Sequence, residues 1–438
     1  MVKKLILSVL AVTLAMSQPA YALRPMATSK HDNALIMVKG RMDEFIKRLK
    51  RYAINIIQLR AHLPAIIKTS DDTLRDGLQS QEATLIIGDK LRLFDAIMAS
   101  GVDCQESGSF VNPKIYPQLQ TSGEVAAYSF QEYSKAKLSK LIRWLLFNKR
   151  SWQDLLKAWE SVSGAPSKIA ISVQTAADPE YVISNFYIDD DDVKAQIRSG
   201  DILKMFRKYT VPVLDSIREW ERDNGRDVLK HGYISNVPKY EGREIKDELL
   251  LEIIREFKKQ GITMIWLSDT TGEAEPDDVR RISKFVFELS KKPEFANLTF
   301  GWHIHDRGLG LVNMLVAAAE GITWFDTCLG GIGGSKAAVG ASANVSTEDW
   351  IALLQALGVK VNADLDKLLS VTKKLEEILG KDLAREPCLW GLHKLTPDER
   401  IEALAYLKSK LGLGSKAEKA KTATKQGIQL ERHFETCA

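Results

Sequence analysis

The sequence predicts an α/β fold: a closed (β/α)8 barrel, a TIM barrel, with an N-terminal helix in front of it and a C-terminal helical cap behind. Three observations carry that prediction. Between residues 64 and 360 short apolar strand candidates alternate with segments of helical period, the pattern of parallel βα units. Eight such units in about 280 residues is the size of a closed barrel. Asp76, Glu106, Asp269, His305 and Asn344 each fall at or just past the C-terminal end of a strand candidate. A barrel gathers those ends at one mouth, whereas a doubly wound open sheet would string them along an edge.

The elements follow in order. Lys3 and Lys4, the apolar run Leu5 to Met16 and Ala20-Tyr21-Ala22 have the three-part form of a secretory leader, so residues 1–22 are expected to be removed before Leu23. The apolar run falls short of the roughly 20 residues a membrane span needs, which predicts an exported protein, in a bacterial periplasm, with no stable span. Residues 23–63 form an N-terminal helical segment whose amphipathic helix runs from Met42 to Leu63 and is ended by Pro64. Strand candidates are 65–69, 102–106, 169–174, 228–236, 262–269, 298–306 and 322–328, with an eighth in 340–345. Helices fill the gaps at 81–100, 246–260, 277–291 and 309–320. Two units carry extra length. The Trp- and Leu-rich stretch 141–161 reads as helical, and 178–224 contains four consecutive carboxylates, Asp189 to Asp192. Those four lack the spacing and closing Glu of a calcium loop, so they read as a solvated helix start. Residues 361–414 add the helices 368–379 and 397–411, and 415–438 form a basic tail.

Composition sets the bounds. With 438 residues and 45% hydrophobic content the chain buries a large core. Its net charge of +4 against 61 basic and 57 acidic residues gives no reason to expect a nucleic-acid partner. Cys104, Cys328, Cys388 and Cys437 have no metal-finger spacing, and Cys104 and Cys328 sit in apolar strand patterns where a buried free thiol is the default.

Chemistry concentrates in Gly301-Trp302-His303-Ile304-His305-Asp306. Alternation puts His303 and His305 on one face of a strand, where two imidazoles offer two nitrogens to one cation. Four further segments accompany this pair: Thr73-Leu74-Arg75-Asp76-Gly77-Leu78-Gln79, the Glu106 strand with Ser109-Phe110-Val111-Asn112-Pro113-Lys114, Asp269-Thr270-Thr271-Gly272, and Gly340-Ala341-Ser342-Ala343-Asn344.

Together, and in this order, these segments resemble the hydroxymethylglutaryl-CoA lyase branch of the barrel metallolyases and Claisen-type synthases. The likeness spans residues 69–358 and extends to Tyr233-Ile234-Ser235 and Tyr240-Glu241-Gly242, which are similar to that lyase's fourth-strand segment. It implies cleavage of a carbon–carbon bond next to a carbonyl, a small-molecule substrate that could be an acyl-CoA, and a divalent cation, magnesium or manganese with zinc as the other option. Asp76, His303, His305 and Asn344 fall on the metal-ligand positions. Arg75 falls on the Arg that faces the reacting carbonyl, where a fixed cation stabilises an enolate. Glu106 and Asp269 match acidic active-site positions, His303 counts with the catalytic residues as well as the ligands, and Gln79 matches the polar residue of its motif. A homodimer is compatible with such a barrel but nothing in the sequence requires it.

One position departs from the pattern. The lyase loop reads Gly-Leu-Gly-Gly-Cys-Pro, and here the run is Gly331-Ile332-Gly333-Gly334-Ser335-Lys336. A thiol with a pKa near about 8.5 protonates an enolate far more readily than an unassisted serine hydroxyl. Ser335 therefore stands where the proton donor is expected, with Lys336 as a neighbouring group that could give a proton or bind an acidic substrate. Export creates a second tension, because acyl-CoA is a cytoplasmic metabolite. Two alternatives stay open beside the lyase: a condensing acyl-CoA synthase of the same superfamily, and a metal-containing binding protein with impaired catalysis.

Overall fold

The computed structural model describes residues 30–413 except 83–84, 137–140, 164–167, 187, 335–341 and 386–389. The leader, the basic tail, Ser335, Lys336, Cys388 and Cys437 thus lie outside the described residues. Eight parallel strands form the barrel: β1 (Lys68–Asp71), β2 (Cys104–Ser109), β3 (Leu141–Leu145), β4 (Lys168–Ala176), β5 (Asp227–Ser235), β6 (Met264–Asp269), β7 (Thr299–Asp306) and β8 (Trp324–Thr327). Each pairs with the next, and β8 returns to β1 with Ser70 opposite Asp326, which closes the ring.

The structure corrects two strand assignments. The stretch 141–161, expected to be all helix, divides into β3 and the helix Lys149–Glu160, which starts at a reciprocal cap between Asn148 and Ser151. β3 has no polar alternation to mark it, because a parallel strand is covered on both faces, and Trp and Leu continue straight into the helix. The expected eighth strand in 340–345 is not a barrel strand. Its described part, Ala343–Asn344, pairs antiparallel with the end of β7, Asn344 opposite His305. Tyr233-Ile234-Ser235 accordingly belongs to the fifth strand.

The N-terminal helix also differs from expectation, running over Lys30–Arg51. Ala53, at φ 53°, turns the chain out of the helix, and Asn55 caps a separate short helix, Ile56–Arg60, by accepting from the backbone of Ile57 and Gln58. The long helix lies against the last one, Pro397–Lys410. Lys39 pairs with Glu402 at 2.8 Å, the Tyr406 hydroxyl donates to Asp43 at 2.7 Å, and Phe45 packs edge-on to Trp390. Trp390 in turn donates its backbone N–H to Asp349 of the last barrel helix, Thr347–Leu357, at 2.8 Å. The first and last described helices thereby form one buttress. Other expected helices appear within a few residues, as Ile87–Ala99, Asp247–Lys259, Pro276–Ser290, Gly310–Ala319 and Leu365–Leu379. Asp190 caps the helix Asp191–Arg198, so the acidic run is the solvated helix start its spacing indicated. No helix among the described residues is long and apolar enough to cross a membrane.

β7 shows how the sequence sets its two faces. Phe300, Trp302 and Ile304 point out to the helical layer, where the Trp302 ring nitrogen donates to Ser283 at 2.9 Å. Gly301, His303 and His305 point inward. A Cβ on Gly301 would lie 2.6 Å from the Trp266 ring, so glycine there makes room for the tryptophan that floors the barrel with Met264, Leu145 and Tyr233.

Candidate metal centre and active site

The site is built on the barrel mouth, beginning with the turn after β1. Thr73–Gly77 forms a single wide helical turn in which the Gly77 N–H reaches back to the Asp72 carbonyl at 3.1 Å. Asp71 anchors the turn by accepting from the Thr73 backbone and the Thr347 hydroxyl, and the Thr73 hydroxyl accepts from Leu329 N–H at 2.8 Å. Pinned on both sides, the turn presents Arg75 and Asp76 inward. Burial pushes the Asp71 carboxyl up to about 6, against the pull of those hydrogen bonds.

Opposite stand the two imidazoles. His303 Nε2 and His305 Nε2 face each other at 3.2 Å, and each lies 3.9 Å from Asp76 Oδ2. The far nitrogens differ: His305 Nδ1 meets the Ser342 carbonyl at 2.6 Å, whereas His303 Nδ1 lies 3.4 Å from Asp326 without a hydrogen bond to it. For His305 that is the arrangement in which a histidine donates one N–H to a carbonyl and leaves the other nitrogen for a cation. Burial is the main cause that drops the His305 pKa to about 4, with His303 adding to it and Asp76 opposing it, so the ring is neutral near pH 7. Burial works to raise Asp76, but Arg75, His305, His303 and the Asn344 hydrogen bond overcome it and hold the carboxyl well below the usual range.

Asn344 Nδ2 donates to Asp76 at 2.6 Å and to the Ile332 carbonyl at 3.2 Å. Gly333, at φ 135°, lies so close that a Cβ would meet the Asn344 amide at 1.9 Å and Asp76 at 3.0 Å. Only glycine fits there. Gln79 donates to the other oxygen of Asp76.

Beneath these groups is a buried charge cluster. Arg75 spreads over three carboxylates: Asp72 at 2.9 Å, Asp76 at 2.8 Å, and Glu106 through Nε. Arg143, fully buried on β3, holds Glu106 at 2.9 Å, Asp72 at 3.0 Å and Asp326 at 3.2 Å, and donates to the Tyr233 hydroxyl. Ser172 completes the shell of Glu106. Burial disfavours both guanidinium charges, yet the surrounding carboxylates raise both pKa values, so both stay protonated.

The donor set fits a divalent cation. Asp76, His303 and His305 each bring one ligand atom to a cluster whose atoms lie within 4.8 Å of one another, and Asn344 adjoins it with a carboxamide oxygen to contribute. The two Nε2 atoms lie 3.2 Å apart, close enough for both imidazoles to serve one ion. Four carboxyl groups, Asp72, Asp76, Glu106 and Asp326, face the two guanidinium groups of Arg75 and Arg143, and burial together with the Asp326 and Glu106 charges pushes the Asp72 carboxyl well up. Mixed oxygen and nitrogen donors suit a hard or borderline ion. Asp72, His303 and Asp326 also converge, but the Arg143 guanidinium already bridges the two carboxylates.

The structure thus brings together Arg75, Asp76, Gln79, Glu106, His303, His305 and Asn344. Asp269 stands apart. On β6 it is Ser268, beside His303, that faces the mouth, while the Asp269 carboxylate turns away and accepts from the backbones of Glu273 and Ala274 at 3.1 and 3.2 Å. Four participants escaped the sequence reading. Asp72 and Asp326 carried a signal, a carboxylate within or at the end of an apolar strand, and Tyr233 lay in a segment already singled out. Arg143 carried none once β3 was read as helix.

The cluster opens into a cavity of about 360 Å³ that reaches from these residues to the loops after β2, β3 and β4. Residues 66–375 match the HMGL-like family model. The chain belongs to the HMGL-like family. It is 29% identical over 323 residues to a 3-hydroxy-3-isohexenylglutaryl-CoA/hydroxymethylglutaryl-CoA lyase of Pseudomonas aeruginosa, covering 73% of this chain and 95% of that one. It is 27% identical to the (R)-citramalyl-CoA lyase of Chloroflexus aurantiacus, over 72% of this chain and 91% of that one. Among solved structures it is similar to an HMG-CoA lyase from Acinetobacter baumannii in complex with coenzyme A and 3-methylmalate, with TM-score 0.59 and 27% identity over 73% of this chain and 92% of that one.

Proposed function

We propose that this family member is a divalent-metal-dependent carbon–carbon lyase acting on a 3-hydroxy acyl thioester of the hydroxymethylglutaryl-CoA or citramalyl-CoA type, with magnesium or manganese as its ion. The observation that carries the reading is the pair of Nε2 atoms 3.2 Å apart beside Asp76, with the Arg75 guanidinium 2.8 Å from the same carboxylate. A divalent cation held by Asp76, His303, His305 and Asn344 would supply Lewis-acid polarisation of substrate oxygens. The chain's own groups do the rest. Arg75, held by Asp72 and Glu106, presents a fixed positive charge to the carbonyl oxygen on which enolate charge develops. Arg143 and Ser172 hold Glu106 in turn, so Arg75 needs no rearrangement as that charge appears. Ser335 occupies the loop position of the cysteine in the lyases this chain resembles, and we assign it the weakened place in the final protonation.

Purified protein should contain about one divalent cation per chain and cleave hydroxymethylglutaryl-CoA or citramalyl-CoA measurably with manganese, losing that activity to a chelator and regaining it with metal. A metal-free protein, or one that binds metal and cleaves neither thioester nor any related 3-hydroxy acid, sinks the reading. Export belongs to the same proposal: the mature N-terminus should be Leu23, and intact Met1 in the cytoplasm would remove it.

A further inference from the structure

The metal-binding end of β7 is also held from outside the barrel. The helix Lys30–Arg51 precedes the residues that match the family model, 66–375, and its C-terminal end reaches the loops that follow β6 and β7. Just past the helix the Tyr52 hydroxyl donates to Glu275 after β6 at 3.5 Å, and in its last turn the partly buried Arg48 donates to the Gly308 carbonyl after β7. Gly308 is shaped for that contact. Its φ is 111°, and a Cβ there would lie 3.1 Å from the Arg48 guanidinium, so a side chain is excluded on both counts. The same turn is tied from within by Asp306, whose Oδ1 accepts from Gly308 N–H at 2.5 Å and from Gly310 N–H at 2.8 Å. The turn starts where the ligands end. Asp306 lies opposite Ala343 and His305 opposite Asn344, while the Ser342 carbonyl meets His305 Nδ1 at 2.6 Å. A shift of the turn is therefore a shift of two of the four proposed ligands and of the group that orients one of them.

We infer that Arg48 is a positioning residue for the metal centre: its guanidinium fixes the Asp306–Gly310 turn and through it holds His305 and Asn344 where one ion can use both. The part concerning the ion rests on the metal reading above; the part concerning the turn does not. Arg48 works from a fixed base, because Met42, Phe45 and Leu49 of the same helix are buried in the main core. Its hydrogen bond to the carbonyl is charge-assisted, and a guanidinium keeps its charge at any working pH, so the clamp does not loosen as pH changes. A metal site loses affinity when its ligands drift by more than about half an ångström, which is why a contact two residues beyond the ligand matters.

Three variants of the full chain test it. Arg48→Met removes the donor, Arg48→Lys keeps the charge without the flat fork, and Lys39→Met cuts the pair with Glu402 in the same helix without touching the turn. Amide hydrogen exchange in residues 306–310 and 342–344 should speed up by on the order of tenfold in Arg48→Met, less in Arg48→Lys, and not in Lys39→Met. The manganese dissociation constant should rise in the same order, by about tenfold for Arg48→Met, the lower end of the loss that follows when a group supporting a ligand is removed. Unchanged exchange at the turn in Arg48→Met, or faster exchange with unchanged manganese affinity, overturns the inference. Equal effects of Lys39→Met and Arg48→Met overturn it too, since they would report a loosening of the whole helix. Wild-type protein that binds no manganese sinks the metal reading instead, and exchange at the turn then decides the clamp by itself.

Discussion

The two sides of the barrel mouth are made differently. On the β7–β8–β1 side the metal-binding groups sit on a strand or on a turn pinned by three hydrogen bonds, where His305 has Ser342 and Asp76 has Arg75, Gln79 and Asn344, and on the floor between the sides Glu106 of β2 is held by Arg75, Arg143 of β3 and Ser172 of β4. On the β2–β4 side the wall comes mostly from loops and short helices, mixes Asn112, Asn148 and Asn185 with apolar side chains such as Phe147 and Met205, and includes the half-exposed Ile115 and Tyr209. Strand positions resist displacement because each is held by two neighbours in the ring, whereas loops change length and residue at little cost to the core. The two sides therefore differ in how firmly they hold the groups they present.

The strongest way to break this division is to remove a strand-borne ligand. Asp76→Ala or His305→Ala should abolish bound metal and bring activity to background, because losing one of a few protein donors opens the site to water. Elemental analysis of each variant checks it, and equal metal in wild type and both variants would contradict the ligand assignment. Next comes Ser335→Cys. If the acid step is what limits cleavage of hydroxymethylglutaryl-CoA, restoring a thiol should raise turnover by on the order of 10²–10⁴-fold, the contribution of a positioned acid. A variant that binds metal and thioester and shows no gain moves attention to Lys336 and the wall on the β2–β4 side.

Arg143 sharpens the comparison from below. Arg143→Met leaves Glu106, Asp72 and Asp326 facing one another without their shared cation, and should cost about 3–5 kcal/mol of stability, the scale for breaking a buried ion pair. Denaturant melts measure it, and an unchanged midpoint would show that the cluster does not depend on this guanidinium. A pH-dependent effect is expected at Asp269, whose carboxyl burial pushes up to about 7. The unfolded chain releases that proton near pH 3.9, about three pH units earlier, so stability falls as pH rises from about 4 to about 7 and is level above. Asp269→Asn should lessen the fall in melting temperature across that window, leaving the slope from Asp71, which ends at about 6, and from Asp72 and Asp349, whose carboxyls burial also pushes up. An unaltered slope would show that Asp269 keeps an ordinary pKa.

The sequence by itself determined the barrel and most of the metal end. Period-two alternation placed His303 and His305 on the inner face of β7, and the offset of Asp76 from the end of β1 put it at the same mouth, whereas Asn344 reaches it not from an eighth barrel strand but by pairing antiparallel beside His305. Those are local rules, since the direction of a side chain on a strand follows from its position along the strand. The same rules failed where local pattern is silent. β3 is buried on both faces and runs into a Trp- and Leu-rich helix, so Arg143 could not be placed on the barrel floor. Asp269 is one residue from Ser268, and only the register against His303 decided which of the two faces the cavity. The joining of Asp72, Glu106 and Asp326 by Arg143 and Tyr233 spans strands up to 254 positions apart between Asp72 and Asp326, and sequence spacing carries no trace of it. Ring closure brings β8 beside β1 and sets those carboxylates on one floor, and the cost of burying charge then requires that each find a partner across the barrel.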